Sequence, residues 1–132
     1  MNAKVNKTIL VVDDDADFLT QHKIYLESLG YTVITAESQH QAEEILKTVR
    51  PDLAMVDLMM EHVDGGFTLC YHIKKIDAAI PVILVTGVSS ETGIEFDSST
   101  QEERSWVKAD VMLAKPVRFD QLKRELERLM KI

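Results

Sequence analysis

Five times along this chain a short apolar run, rich in β-branched residues, gives way to polar ones. The runs are Thr8 to Val12, Tyr31 to Ala36, Leu53 to Val56, Val82 to Val85 and Val111 to Ala114. A continuous apolar run, unlike an alternating one, suits a strand buried on both faces. Between the runs the spacing turns helical. Phe18, Leu19, His22, Tyr25, Leu26 and Leu29 line one face, with Gly30 as the stop. Ser38 is placed to cap a second helix, whose stripe is Ala42, Ile45, Leu46 and Val49 and which Pro51 ends. After an Asp64-Gly65-Gly66 turn, Phe67, Cys70 and Ile73 mark a third. A fourth is expected near Gln101 to Lys108, and Phe119, Leu122, Leu126 and Leu129 form the core stripe of a fifth. Strands alternating with helices predict an α/β fold around a parallel sheet, with right-handed crossovers placing helices on both faces.

Composition narrows the class. At 132 residues, with no linker, repeat or low-complexity tract, one domain is expected to fill residues 1–132 after a short lead-in over residues 1–7. Asp and Glu number 22 against 15 Lys and Arg, a formal charge of −7. That balance weighs against gripping nucleic acid directly, and equally against anionic membrane surfaces. The single cysteine, Cys70, excludes an internal disulfide and a multi-cysteine zinc site and points to a reducing compartment. Met1 to Lys7 is polar and short rather than a secretory leader, and Ala78 to Val85 is too short to span a bilayer. A soluble, cytoplasmic chain is expected.

The chemistry lies in the residues just beyond the strands. The first strand ends in Asp13-Asp14, the third in Asp57, the fourth in Thr86 and the fifth in Lys115. Open parallel sheets bind ligands outside the carboxyl ends of their strands, so these groups are expected to converge. Clustered carboxylates repel one another, and a hard divalent cation such as Mg²⁺ relieves that repulsion. Capping of a helix accounts for Asp15 but not for an acid recurring after strand three. Taken singly, Thr86-Gly87 is ordinary turn chemistry and Lys115-Pro116 a surface lysine; together with the acids they make a specific pattern. His22 reads as part of a buried helix face, and His40, His62 and His72 as surface, with no ligand spacing among them. The glycines make neither a dinucleotide fingerprint nor a P-loop.

Several stretches carry a family likeness: Ile9 to Asp15, Pro51-Asp52-Leu53 through Asp57, Asp64-Gly65, Val82 to Gly87 and Ala109 to Pro116. Over nearly its full length the chain resembles the receiver domains of two-component response regulators. The resemblance implies a flavodoxin-like, doubly wound, five-stranded parallel sheet in the order 2-1-3-4-5. It implies that Asp57 is the phosphoacceptor, taking a phosphoryl group from a sensor histidine kinase or phosphotransfer protein. Asp14, Asp57 and the backbone carbonyl of Met59 would hold Mg²⁺ directly, with Asp13 acting through water. Lys115 would pair with one phosphoryl oxygen, and Thr86 would donate its hydroxyl to another. Such a chain is a self-catalysing switch, with phosphoryl transfer and autodephosphorylation but no metabolite turnover. Its output passes to an effector protein or to an output domain outside this chain.

Other readings stay open beside it. A degenerate receiver would act as a phosphorylation-independent interaction module. An aspartyl-nucleophile phosphatase would usually carry a second acid at Met59. The chain also departs from the family pattern. Glu61 replaces a usual proline, Met112 a usual Tyr or Phe, and Val117 a frequent aromatic. The segment between Thr86 and Lys115 is long and contains the only tryptophan, Trp106, which is expected to pack the fourth helix onto the sheet, a partner-binding anchor being the alternative. In the family that this chain resembles, the positions of Met59 and Val88 tune the lifetime of the phosphoryl group; both are apolar here and neither can orient an attacking water, which predicts slow loss of phosphate.

Overall fold

The computed structural model, which describes residues 7–58, 65–87 and 110–131, forms strands where the apolar runs predict them. In chain order the elements are β1 Thr8–Val12, α1 Ala16–Ser28, β2 Thr32–Ala36, α2 Gln39–Leu46, β3 Leu53–Asp57, α3 Gly65–Ile76, β4 Val82–Thr86 and β5 Val111–Ala114, followed by a helix, here α4, over Phe119–Met130. The strands lie parallel in one sheet ordered β2-β1-β3-β4-β5.

Side chains alternate across a strand, so each strand feeds two cores. From β1, Ile9 and Val11 pack with Leu19 and Leu26 of α1 and with Leu122 and Leu126 of α4. Leu10 and Val12 pack on the other face with Ala42 and Leu46 of α2 and with Leu69, Cys70 and Ile73 of α3. Helices therefore cover both faces, and that is why the strand sequences are apolar throughout rather than alternating. Each fully buried Leu or Ile contributes about 1.5–3 kcal/mol of apolar transfer. Burial also pushes the Cys70 thiol up to about 12. Among the described residues no helix is long and apolar enough to cross a membrane.

Local chemistry sets the helix ends. Asp15 caps α1, its side chain accepting from the backbone N–H of Asp17 at 2.9 Å and of Phe18 at 3.3 Å. Gly30, with φ of 101°, takes the left-handed turn that leads into β2. Ser38 caps α2 through the Gln41 N–H at 3.0 Å.

Several boundaries differ from the sequence reading. Helix α2 ends at Leu46, before Val49 and well before Pro51, because Lys47 and Thr48 donate back only three residues and tighten the last turn. Gly65 and Gly66 open α3 instead of forming a turn, at a helix end whose first N–H groups need no helical acceptor. Phe119 is the first residue of α4 and is 37% exposed, so it is no core residue; the core begins at Leu122. Strands β3 and β4 each run one residue further than expected and take in Asp57 and Thr86. Strand β2 begins at Thr32, with Tyr31 buried ahead of it. Of the histidines, His22 is buried and His40 exposed, while half-buried His72 pairs with Glu43 at 3.2 Å. Met59, Glu61, His62, Asp64, Val88, Trp106 and the helix expected over Gln101 to Lys108 lie outside the described residues.

Candidate functional site

Parallel strands present all their carboxyl ends on one rim, and the predicted residues meet there. Asp13 follows β1, Asp57 closes β3, Thr86 closes β4 and Lys115 follows β5. Backbone hydrogen bonds hold these ends in register. Asp13 N donates to Ala36 O at 3.1 Å, Leu58 N to Val85 O at 2.7 Å, and Lys115 N to Thr86 O at 2.8 Å. Asp57 lies level with Val85 on β4, which places Thr86 one residue further out along the rim. The Lys115–Pro116 peptide bond is cis.

Asp13 is 0% exposed and Asp57 4%, whereas Asp14 faces solvent. An oxygen from each of these carboxylates lies within 4.8 Å of the other two. The Lys115 ammonium sits against two of them, 2.9 Å from Asp13 Oδ2 and 3.8 Å from Asp57 Oδ2. Burial alone would lower the lysine pKa, but the carboxylates of Asp13, Asp57 and Asp15 outweigh it and raise the value above that of a free lysine.

Among the described residues, the three clustered carboxylates have one ammonium against two of them, Asp13 and Asp57, and buried anions are costly without compensation. Asp13 Oδ1 accepts from the Asp15 N–H at 2.9 Å. Asp13 Oδ2 has the Lys115 ammonium 2.9 Å away as its partner. A buried oxygen so placed, in an all-oxygen donor set, suits a hard divalent cation.

Two residues beside the site escape the sequence reading. The Phe18 ring lies under the Lys115 ammonium, 4.7 Å from Nζ to the ring centroid. His22 stacks on Phe18 with centroids 3.7 Å apart, and its Nδ1 donates to Phe18 O at 2.8 Å. Both lie on the apolar stripe of α1, where helical spacing gives no hint that the N-terminal end of the stripe faces a lysine after β5. Burial lowers the His22 pKa against the opposing pull of the Phe18 carbonyl and Asp13.

Comparison with known proteins matches this fold. A response regulator receiver domain profile covers residues 9–127. The transcriptional regulatory protein ZraR of Escherichia coli is 37% identical over 126 residues, 95% of this chain but 26% of that protein. The alkaline phosphatase synthesis transcriptional regulatory protein PhoP of Bacillus subtilis is 34% identical over 66% of this chain and 36% of its own length. This chain thus spans about a quarter to a third of these relatives. Among solved structures, a CheY-like receiver domain protein from Methanospirillum hungatei superposes with a TM-score of 0.78 at 26% identity, covering 96% of each chain. The response regulator TrrA of Thermotoga maritima, solved with Mg²⁺ and a beryllium fluoride, gives 0.74 at 31% identity, over 93% of this chain and 98% of that one. The chain belongs to the response regulator receiver domain family.

Proposed function

We propose that this chain is a Mg²⁺-dependent phosphoryl-accepting switch, with Asp57 as the acceptor. The observation that carries the reading is the buried Asp57 carboxylate, set beside buried Asp13 and within 3.8 Å of the Lys115 ammonium. A carboxylate oxygen of Asp57 attacks the phosphorus of a phosphohistidine on a kinase or phosphotransfer protein. The P–N bond breaks, its electron pair returns to the imidazole, and an acyl phosphate forms. Lys115 pairs with a phosphoryl oxygen and Thr86 donates its hydroxyl to another, so that spreading charge meets groups already in place. Asp14, Asp57 and the Met59 carbonyl would hold Mg²⁺, with Asp13 through water; the ion supplies charge neutralisation for the incoming phosphoryl group. TrrA, similar over most of this chain, was solved with that cation and a beryllium fluoride.

The chain then works as a switch without metabolite turnover, since an acyl phosphate at the rim biases nearby loops. ZraR and PhoP are transcriptional regulators of which this chain matches only part. The output is accordingly assigned to an effector protein or an output domain, and the location to the cytoplasm. An intact set of Asp13, Asp14, Asp57, Thr86 and Lys115 favours this reading over a phosphorylation-independent interaction module.

Incubation with acetyl phosphate and Mg²⁺, followed by intact-mass measurement, tests the reading. One phosphoryl group is expected, absent without Mg²⁺ and absent in Asp57→Asn. An unlabelled wild-type chain, or equal labelling of Asp57→Asn, overturns it. Removing the donor and following decay of the label is expected to show slow loss, given apolar Met59 and Val88; rapid decay unchanged by substitution at either position overturns that expectation.

A further inference from the structure

We propose that Phe18 is a positioning residue for Lys115: its ring face holds the ammonium beside the carboxylates of Asp13 and Asp57. The inference rests on the phosphoryl-accepting reading and adds to it a residue outside the strand ends.

The geometry is that of a cation over an aromatic face, 4.7 Å from the centroid, within the range where the ring quadrupole attracts an ammonium. The ring is itself held in place. His22 lies nearly parallel to it, 19° between planes at 3.7 Å, and the Nδ1 bond to the Phe18 carbonyl ties that imidazole to the same turn of α1. Phe119 meets His22 in an edge-to-face arrangement, with centroids 5.2 Å apart. A fixed ring thus faces a flexible four-carbon side chain whose carboxylate partners lie at unequal distances, 2.9 Å and 3.8 Å.

The choice of a ring matters chemically. An ammonium has three N–H donors. A further carboxylate or carbonyl would claim one of them and compete with an arriving phosphoryl oxygen. A π face attracts the charge with a weaker directional demand, so the donors stay available toward Asp13, Asp57 and the transferred group. The lysine is held near its working position, and little is lost when it re-aims. An aliphatic side chain of similar volume would fill the space without attracting the charge.

Substitution that separates shape from ring electronics tests the proposal, with acetyl phosphate labelling of Asp57 as the rate and the Lys115 ε-methylene proton shifts as the placement. Phe18→Leu is expected to slow labelling about three- to tenfold, the range set by an ordinary cation–π attraction. Phe18→Tyr and Phe18→Trp are expected to restore it to within about twofold. Phenylalanines carrying one, two and three ring fluorines at position 18 keep the shape and drain the ring face of electron density. They are expected to slow labelling in step with fluorine number, and they carry the test should Phe18→Leu fold poorly. In the wild type the Lys115 ε-protons are expected upfield, shielded by the ring, and in Phe18→Leu at ordinary lysine positions. Labelling that is indifferent to fluorination, or ε-protons unshifted in a labelling-competent wild type, overturns the role of Phe18 alone. Shifted ε-protons in a wild type that accepts no phosphate overturn the phosphoryl reading, and the kinetic role of Phe18 with it.

Discussion

Removing the Lys115 ammonium leaves Asp13 and Asp57, both buried, without the cation they share. Breaking a buried pair from one side costs about 3–5 kcal/mol, but the lysine side chain keeps 27% of its surface in water, so about 1–3 kcal/mol is expected for Lys115→Met. Urea melts check this, and combining Lys115→Met with Asp13→Asn is expected to recover most of the loss. Additive losses would mean that the pair is not the source. His22 makes a pH prediction. Burial holds its imidazole below the usual 6.5, so folding favours the neutral ring. Its contribution is complete above pH 6.5 and is lost as pH falls through the lowered folded-state value. The melting temperature of the wild type is therefore expected to fall more steeply from pH 7 to pH 5 than that of His22→Leu; parallel profiles would refute the assignment. At this scale Asp13, Asp14, Asp57, Thr86 and Lys115 were legible, because each sits at the end of a recognisable apolar run. Phe18 was not, because its role depends on how α1 packs against the chain after β5.

Elements were legible where hydrophobic periodicity was long and the ends were marked by side chains. Strands β1 and β5 and the Asp15 and Ser38 caps stand where their residues place them. The end of α2 was less legible, since the tightening at Lys47 and Thr48 is a backbone event with no side-chain signature. The two residues with left-handed backbone that close α1 and α4 predict opposite effects. Gly30 at φ 101° needs no Cβ, and Gly30→Ala is expected to cost about 1 kcal/mol or more. Lys131 at φ 58° carries a Cβ in that same half of backbone space, and Lys131→Gly is expected to gain up to about 1 kcal/mol. Thermal melts of both variants read the pair; equal shifts in one direction would contradict the backbone argument.

For the whole molecule the sheet couples the rim to both cores, so binding at the rim stabilises the entire fold. Mg²⁺ at about one hundred times its dissociation constant is expected to add about 2.7 kcal/mol. The gain should be absent in Asp57→Asn, and an equal gain there would place the ion elsewhere. The order 2-1-3-4-5 was legible only through family resemblance, because alternating strands and helices alone leave the order of strands open. The buried thiol has a practical consequence. With Cys70 sealed between α3 and the sheet and its thiol pushed up to about 12, the folded chain behaves toward thiol reagents as though it had no cysteine. One cysteine introduced on the surface would therefore take a fluorophore or spin label alone, and the native chain itself offers a one-thiol count of unfolding.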